Sequence, residues 1–193
     1  MIKKIFITRH GQTEYNKRGI VQGSGVDSDL NETGRAQASA FYEAFKVYPF
    51  DKLYVSALKR TQQSMKGFID AGLPFEVLPE LNEISWGVRE GVPVDEEGSR
   101  YYQNMIKGWQ NGETDMAIEG GESPIQVANR LRIGLEKIMS AKDEEQILIC
   151  MHGRSLRILL TVLLNYPLRC MDLFEHNNLG LYELTFTGSM FKL

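Results

Sequence analysis

The sequence predicts an α/β protein, a three-layer α/β/α sandwich around a mostly parallel sheet. Two observations predict it. Short apolar, β-branched runs alternate with longer segments of helical character along the chain, the pattern of parallel strands joined by helical crossovers. In addition, one motif occurs twice. Arg9-His10-Gly11 follows a first apolar run, and His152-Gly153-Arg154-Ser155 follows a second near the other end of the chain. A His at the end of a buried strand points into the crevice where open α/β sheets bind ligands. The chain has three histidines, and two of them occupy this setting.

Taken in order, residues 2–8 have the length and β-branching of a buried strand. Residues 11–31 are rich in Gly, Asn, Asp and Ser without periodicity and read as a long loop, the kind that usually carries function. A helix opens near Thr33 and runs to about 47, with Ala36, Ala40, Ala44, Phe41 and Phe45 on its apolar face and Pro49 beyond its end. Residues 52–56 read as a short strand, 58–71 as a helix ended by Gly72 and Pro74, and 75–78 as a third strand. Residues 81–98, broken by Gly87, Gly91 and Pro93, read as a loop running into a helix over about 96–109. Residues 111–119 are polar. Ser123 and Pro124 have the chemistry of an N-cap and first helical position, opening a helix to about 140. Residues 146–151 form a fourth strand, 155–164 a helix halted near Pro167, and 180–187 alternate as a final strand. These elements make one domain, 1–193, in which a segment of about 92–120 forms a helical cap.

Composition narrows the function. Hydrophobic residues make up 42% and charged residues 24% of the chain, with a net charge of −3. There is no global basic field for nucleic acid or an anionic membrane. No stretch approaches a transmembrane helix, and the apolar run at the start is too short for a signal peptide, so the chain reads as cytoplasmic. Cys150 and Cys170 make no disulfide framework. Cys150 reads as a small core residue, and neither cysteine pairs with His at metal-ligand spacing. Nothing in the sequence specifies an oligomeric state.

Two strand-end histidines with arginines nearby point to phosphate chemistry with His as nucleophile. Phosphoryl transfer asks for in-line positioning and for cations around the spreading negative charge. Arg9 precedes His10, and Arg60 lies at the start of the helix after the second strand. The planar fork of arginine binds two phosphate oxygens at once. His10 would attack phosphorus, and His152, if protonated, would hold an oxygen of the same group. A carboxylic acid would protonate the leaving oxygen. Glu83 is the candidate, with Glu14, Glu80 and Glu90 as nearby alternatives.

The segment Thr8-Arg9-His10-Gly11-Gln12-Thr13-Glu14-Tyr15-Asn16 resembles the signature of the histidine phosphatase superfamily, the phosphoglycerate-mutase-like group. The resemblance continues in order through Gln22-Gly23, Leu30-Asn31-Glu32-Thr33-Gly34, Ser56-Ala57-Leu58-Lys59-Arg60-Thr61, 81–91, Gly120-Gly121-Glu122-Ser123 and Met151-His152-Gly153. A lone Arg-His-Gly arises by chance, whereas this ordered set is specific. It implies a phosphoglycerate-mutase-like fold and roles for residues of this sequence. His10 would be phosphorylated, Arg9, Arg60 and His152 would complete the phosphate pocket, and Glu83 would donate the proton. Asn16, Gln22, Gly23 and Gly153 would contact phosphate or substrate. Two positions depart from the pattern. Ala57 replaces a common Pro, and Arg154 stands where a small residue is usual, as an extra cation for a second anionic group.

Each position also has a plain reading. An isolated His10 or His152 would be a core histidine, Arg60 a solvated helix residue, and Asn16 and Gln22 loop-shaping residues. The ordered motifs outweigh those readings for the first three. His176 matches no role and reads as a surface or loop residue. Tyr101, Tyr102 and Trp109 read as cover for the helical cap.

Three activities remain. One is a phosphomonoester hydrolase acting on a small phosphorylated metabolite and releasing inorganic phosphate. The second is a mutase, and the third a non-catalytic phosphate-binding module. Roughly thirty residues separate Gly91 from Gly121, and they lack the Arg-rich stretches with which the resembling mutases hold a carboxylate and a second phosphate. That favours hydrolysis. No cofactor or metal is expected, because arginines neutralise the charge.

Overall fold

The computed structural model describes residues 2–193. Its elements are β1 (Lys3–Arg9), α1 (Glu14–Arg18), α2 (Glu32–Phe45), β2 (Lys52–Val55), α3 (Lys59–Ser64), α4 (Lys66–Asp70), β3 (Phe75–Val77), α5 (Glu96–Gln110), α6 (Pro124–Ser140), β4 (Gln146–Met151), α7 (Gly153–Leu163), β5 (Leu181–Phe186) and β6 (Phe191–Lys192). Single 3₁₀ turns lie at Pro79–Leu81 and Gly87–Arg89, and a longer 3₁₀ segment at Leu168–Leu173.

The strands form one mixed sheet in the order β3-β2-β4-β1-β5-β6. The first four are parallel, and β5 and β6 are antiparallel. Successive strand residues point to opposite faces. Ile5, Ile7, Ile147, Ile149 and Met151 pack with Trp109, Val127, Leu131, Leu156 and Leu159 from α5, α6 and α7. Phe6, Leu148 and Cys150 face the other way, against Phe41, Met65 and Phe68 beside α2 and α4. Two cores on one sheet make the three expected layers.

The chain moves from β1 toward β2 but from β4 toward β5, in opposite directions along the sheet. The carboxyl ends of β1 and β4 therefore border the topological switch point, where open α/β sheets hold ligands. β1 and β4 are adjacent, with Arg9 level with Met151. The register alone brings His10 and His152, the residues that follow, to the same sheet edge.

Several boundaries differ from expectation. The loop after β1 contains α1, because Thr13 and Asn16 form a capping box and Thr13 bridges Leu30. The helix expected over 58–71 is divided at the fully buried Met65, whose non-helical backbone ends α3 and starts α4. The last helix begins at Gly153, two residues earlier than expected, and a short β6 pairs with β5 beyond the expected final strand. The opening of α6 is as expected, with Ser123 and Gln126 closing a capping box and Pro124 in the first turn.

Candidate active site

His10 and His152 face one another with ring centroids 5.2 Å apart. They are 2% and 0% exposed. His10 Nδ1 lies 2.7 Å from the Gly11 carbonyl oxygen. A carbonyl only accepts, so Nδ1 carries the proton and Nε2 keeps its lone pair. Burial, then the cations Arg60 and Arg9, hold the His10 pKa well below 6.5. His10 is thus a neutral imidazole with a free Nε2. Asn178 Nδ2 donates to the His10 carbonyl at 2.8 Å and braces the backbone there.

His152 is bound on both sides. Arg60 Nε donates to His152 Nδ1 at 3.1 Å, and Ser56 Oγ lies 2.8 Å from Nε2. Since guanidinium never accepts, the His152 proton sits on Nε2. Burial and the charge of Arg60 hold its pKa well below 6.5. His152 is a neutral ring here, because a buried Arg occupies one nitrogen and opposes a second positive charge.

Arg60 is fully buried. Its pKa is lowered to about 10 by burial, against the favourable charges of Glu83, Asp27 and Glu90. Nη1 donates to the Val26 carbonyl at 2.6 Å and Nη2 to that of Gly23 at 3.1 Å. One arginine thus ties the loop after α1 to the second histidine. Arg9 keeps a buried Nε–H with no partner, while its Nη1 reaches His176 Nδ1 at 3.1 Å. A buried donor left open on a guanidinium beside two histidines is a place for an anion oxygen.

Glu83 is 6% exposed. Its Oε1 accepts from the backbone N–H of Ile84 at 2.9 Å and of Ser155 at 2.8 Å, and its Oε2 from Arg154 at 3.0 Å. His152, the N-cap residue of α7, makes no side-chain capping bond, so Glu83 caps the helix from a distant segment. Arg130 on α6 holds that segment. Its guanidinium donates to the carbonyls of Glu80, Asn82 and Glu83 and pairs with Glu122 at 2.8 Å.

Other expected residues take different places. Asn16 Oδ1 accepts from Thr13 N–H at 3.2 Å, and Gln22 Oε1 accepts from Thr13 Oγ1 at 2.9 Å and Ser28 Oγ at 2.6 Å. Both shape the loop through their carbonyl oxygens. Gly23 is required by close approach, since a Cβ there would lie 2.2 Å from Glu90 Oε1 and 2.6 Å from the Ile84 carbonyl. At Gly153 a Cβ would lie 3.0 Å from the His176 ring. Arg154 donates to Asp172 at 2.5 Å and to the Tyr102 hydroxyl at 3.0 Å, and it lies over the Trp109 ring. The side chain expected to offer a spare cation is engaged within the protein. Sequence reasoning missed Ser56, Arg130, Asn178 and His176 as partners of the site. Only His176 carried a signal, as the third histidine of the chain; it lies, as one of its two expected settings has it, in a loop, where it is partly buried.

On the cap side lies a cavity of about 150 Å³, lined by Val21, Trp86, Arg89, Val94, Tyr101 and Tyr102 among others. Arg89 is its only charged lining residue. Among the described residues, no group of three or more His, Cys, Asp or Glu is arranged to hold a metal ion, and no helix is long and apolar enough to cross a membrane.

The strand order, the switch point and the facing histidines define a phosphoglycerate-mutase-like α/β fold. The profile of the histidine phosphatase superfamily (branch 1) matches residues 5–193, and the chain belongs to that superfamily. A probable phosphoglycerate mutase GpmB of Yersinia enterocolitica is 32% identical over 168 residues, spanning 85% of this chain and 76% of that one. The protein of the same name from Yersinia pestis is 29% identical over 190 residues, spanning 96% and 86%. A solved mycobacterial glucosyl-3-phosphoglycerate phosphatase in complex with VO3 superposes with a TM-score of 0.88 at 24% identity, covering 98% of this chain and 96% of that one. A putative alpha-ribazole-5'-P phosphatase from Escherichia coli superposes with a TM-score of 0.86 at 22% identity, covering 98% and 93%. These likenesses show the fold.

Proposed function

We propose that the protein is a phosphomonoester hydrolase that acts on a small phosphorylated metabolite through a phosphohistidine at His10. One observation carries this reading. The proton on His10 Nδ1 is committed to Gly11, which leaves the Nε2 lone pair free, and the neighbouring residue Arg9 keeps a buried Nε–H without a partner. Nε2 attacks phosphorus as the P–O bond breaks, and Glu83 gives its proton to the departing oxygen. Water then attacks phosphorus, Glu83 takes the proton, and the P–N bond breaks to release inorganic phosphate. Arg9 and Arg60 balance the charge on the transferring group, and His152 donates through Nε2–H once Ser56 Oγ, which holds that hydrogen in the resting site, releases it. Glu83 Oε1 accepts two backbone N–H groups and Oε2 only one, so Oε2 keeps a lone pair for the proton. We treat the chain as one domain with a helical cap over about 92–120. Its two free cysteines fit a reducing, cytoplasmic setting.

The names of the relatives favour a second reading, mutase transfer between oxygens of one substrate. Two observations weigh against it. Arg154 is engaged with Asp172 and Tyr102, and the cap cavity has Arg89 as its single charged lining residue. A mutase of phosphoglycerates holds a carboxylate and a second phosphate, which call for several free cations. A phosphate-release screen over small phosphomonoesters, run with EDTA and beside a coupled assay with 3-phosphoglycerate and a bisphosphoglycerate primer, tests both. The expected result is phosphate release that survives EDTA. Primer-dependent isomerisation faster than phosphate release would overturn the hydrolase reading.

A further inference from the structure

We propose that His176 is a positioning residue that orients Arg9 while leaving the whole of its positive charge for the phosphoryl group. The inference rests on the reading of Arg9 as a phosphate ligand and goes beyond it. Arg9 Nη1 donates to His176 Nδ1 at 3.1 Å and reaches the His176 carbonyl at 3.5 Å. A guanidinium has no acceptor, so His176 Nδ1 must be the acceptor and the ring must be neutral. The surroundings enforce that state. Arg9, Arg154 and Arg157 all oppose a proton on the ring, and with burial as the largest cause its pKa falls to about 3. Asp172 binds Arg154 and Arg157 through the same oxygen, at 2.5 and 2.6 Å, and leaves Arg9 without a carboxylate contact. The ring itself is seated against Gly153, where any side chain would displace it.

The choice of a neutral acceptor has a consequence. A carboxylate at this place would hold the guanidinium as firmly, but it would cancel the charge the phosphate needs. An imidazole takes one N–H of Arg9, leaves the buried Nε–H without a partner inside the protein, and does so at no electrostatic cost to an anion. The same arrangement explains the second His-Gly pair: Gly153 provides the space in which the His176 ring reaches Arg9.

The test compares His176→Asn with His176→Asp, which have the same shape and differ in charge. The probes are inorganic phosphate and orthovanadate, titrated calorimetrically, with nitrophenyl phosphate kinetics alongside. His176→Asn keeps a neutral acceptor near Nδ1 and is expected to bind phosphate within about threefold of wild type, the scale of one retained neutral hydrogen bond. His176→Asp is expected to bind about tenfold to a hundredfold more weakly, as an opposing charge beside Arg9 demands. Equal affinities in the two variants would show a packing role and overturn the proposal. Should His176→Asp fail to fold, His176→Ala carries the contrast: it must lose affinity that His176→Asn keeps, and equal loss in both overturns the proposal. A wild type that binds phosphate without hydrolysing esters sinks the hydrolase reading and leaves this inference standing. A wild type that binds no phosphate overturns both.

Discussion

His10 and His152 look alike in sequence, each ending an apolar strand and each followed by glycine, yet the fold assigns them opposite states. His10 spends its proton on the carbonyl of its own neighbour and keeps Nε2 open. His152 has both nitrogens engaged, one by Arg60 and one by Ser56. The chain after His10 enters a loop, whereas the chain after His152 enters α7, whose first free N–H groups are taken by Glu83. Equal motifs at equal depth thus yield one ring with an open Nε2 and one ring with both nitrogens committed. Which histidine is which follows from what can accept or donate around each ring, since strand-end position alone is common to both.

The sharpest way to break this comparison is to remove each ring in turn. His10→Ala is expected to lower turnover by more than about 10⁴-fold, since no other group can form the covalent intermediate. An acid-labile, base-stable phosphoenzyme label should appear on the wild type and vanish in this variant. His152→Ala should cost less, about 10²–10³-fold, the scale of losing one preorganised donor, and should still form the label. Label on His10→Ala, or none on His152→Ala, would exchange or merge the two roles.

Glu83 sharpens the comparison because the proposed acid also caps α7. Glu83→Gln is expected to slow a sugar phosphate by about 10²–10⁴-fold and nitrophenyl phosphate clearly less, because a phenolate leaves with little need of a proton. Replacing one carboxylate oxygen by an amide also puts an N–H donor against the N–H groups of α7, so a loss of about 1 kcal/mol in stability is expected in urea unfolding. Equal slowing of both substrates would leave only the capping role and send the search for the acid to Glu14, Glu90 and His152.

The smallest expected effect is on stability in acid. His10 and His152 are held well below 6.5 when folded and titrate near 6.5 when the chain is unfolded. Below that pH the unfolded chain binds more protons, so stability falls as pH drops through 6.5 and goes on falling until the folded rings titrate. His176 adds to the slope down to about pH 3. Urea midpoints from pH 7.5 to pH 4 should therefore decline, and His176→Asn should flatten the decline. Turnover should show no limb from protonation of His10 itself between pH 7 and 6, because the folded ring stays neutral there.

Much of this was legible in the residues. The continuous burial of β1 and β4, the Ser123-Pro124 start of α6 and the buried Cys150 follow from local pattern. So does the placing of His10 and His152 each at the end of a buried strand. What was not legible involves partners far away in the chain. Arg130 reads as one more polar residue of a helix until its carbonyl acceptors at Glu80, Asn82 and Glu83 are seen. Arg154 reads as a spare cation until Asp172 and Tyr102 are seen around it. Met65 carries no breaker chemistry, and it sits fully buried in the second core where the helix is divided.

By itself the sequence determined the layered α/β class, the two strand-end histidines and the residue types that surround a phosphate. Those depend on hydrophobic period and on short-range spacing, which are properties of neighbouring residues. Only the tertiary structure decided the pairing of β1 with β4, the tautomer of each histidine, the capping of α7 by Glu83 and the contact between Arg9 and His176. Apart from the His10 tautomer, set by the carbonyl of the next residue, each of these turns on which groups meet across more than sixty intervening residues. The direction of a hydrogen bond depends on geometry that no local pattern encodes.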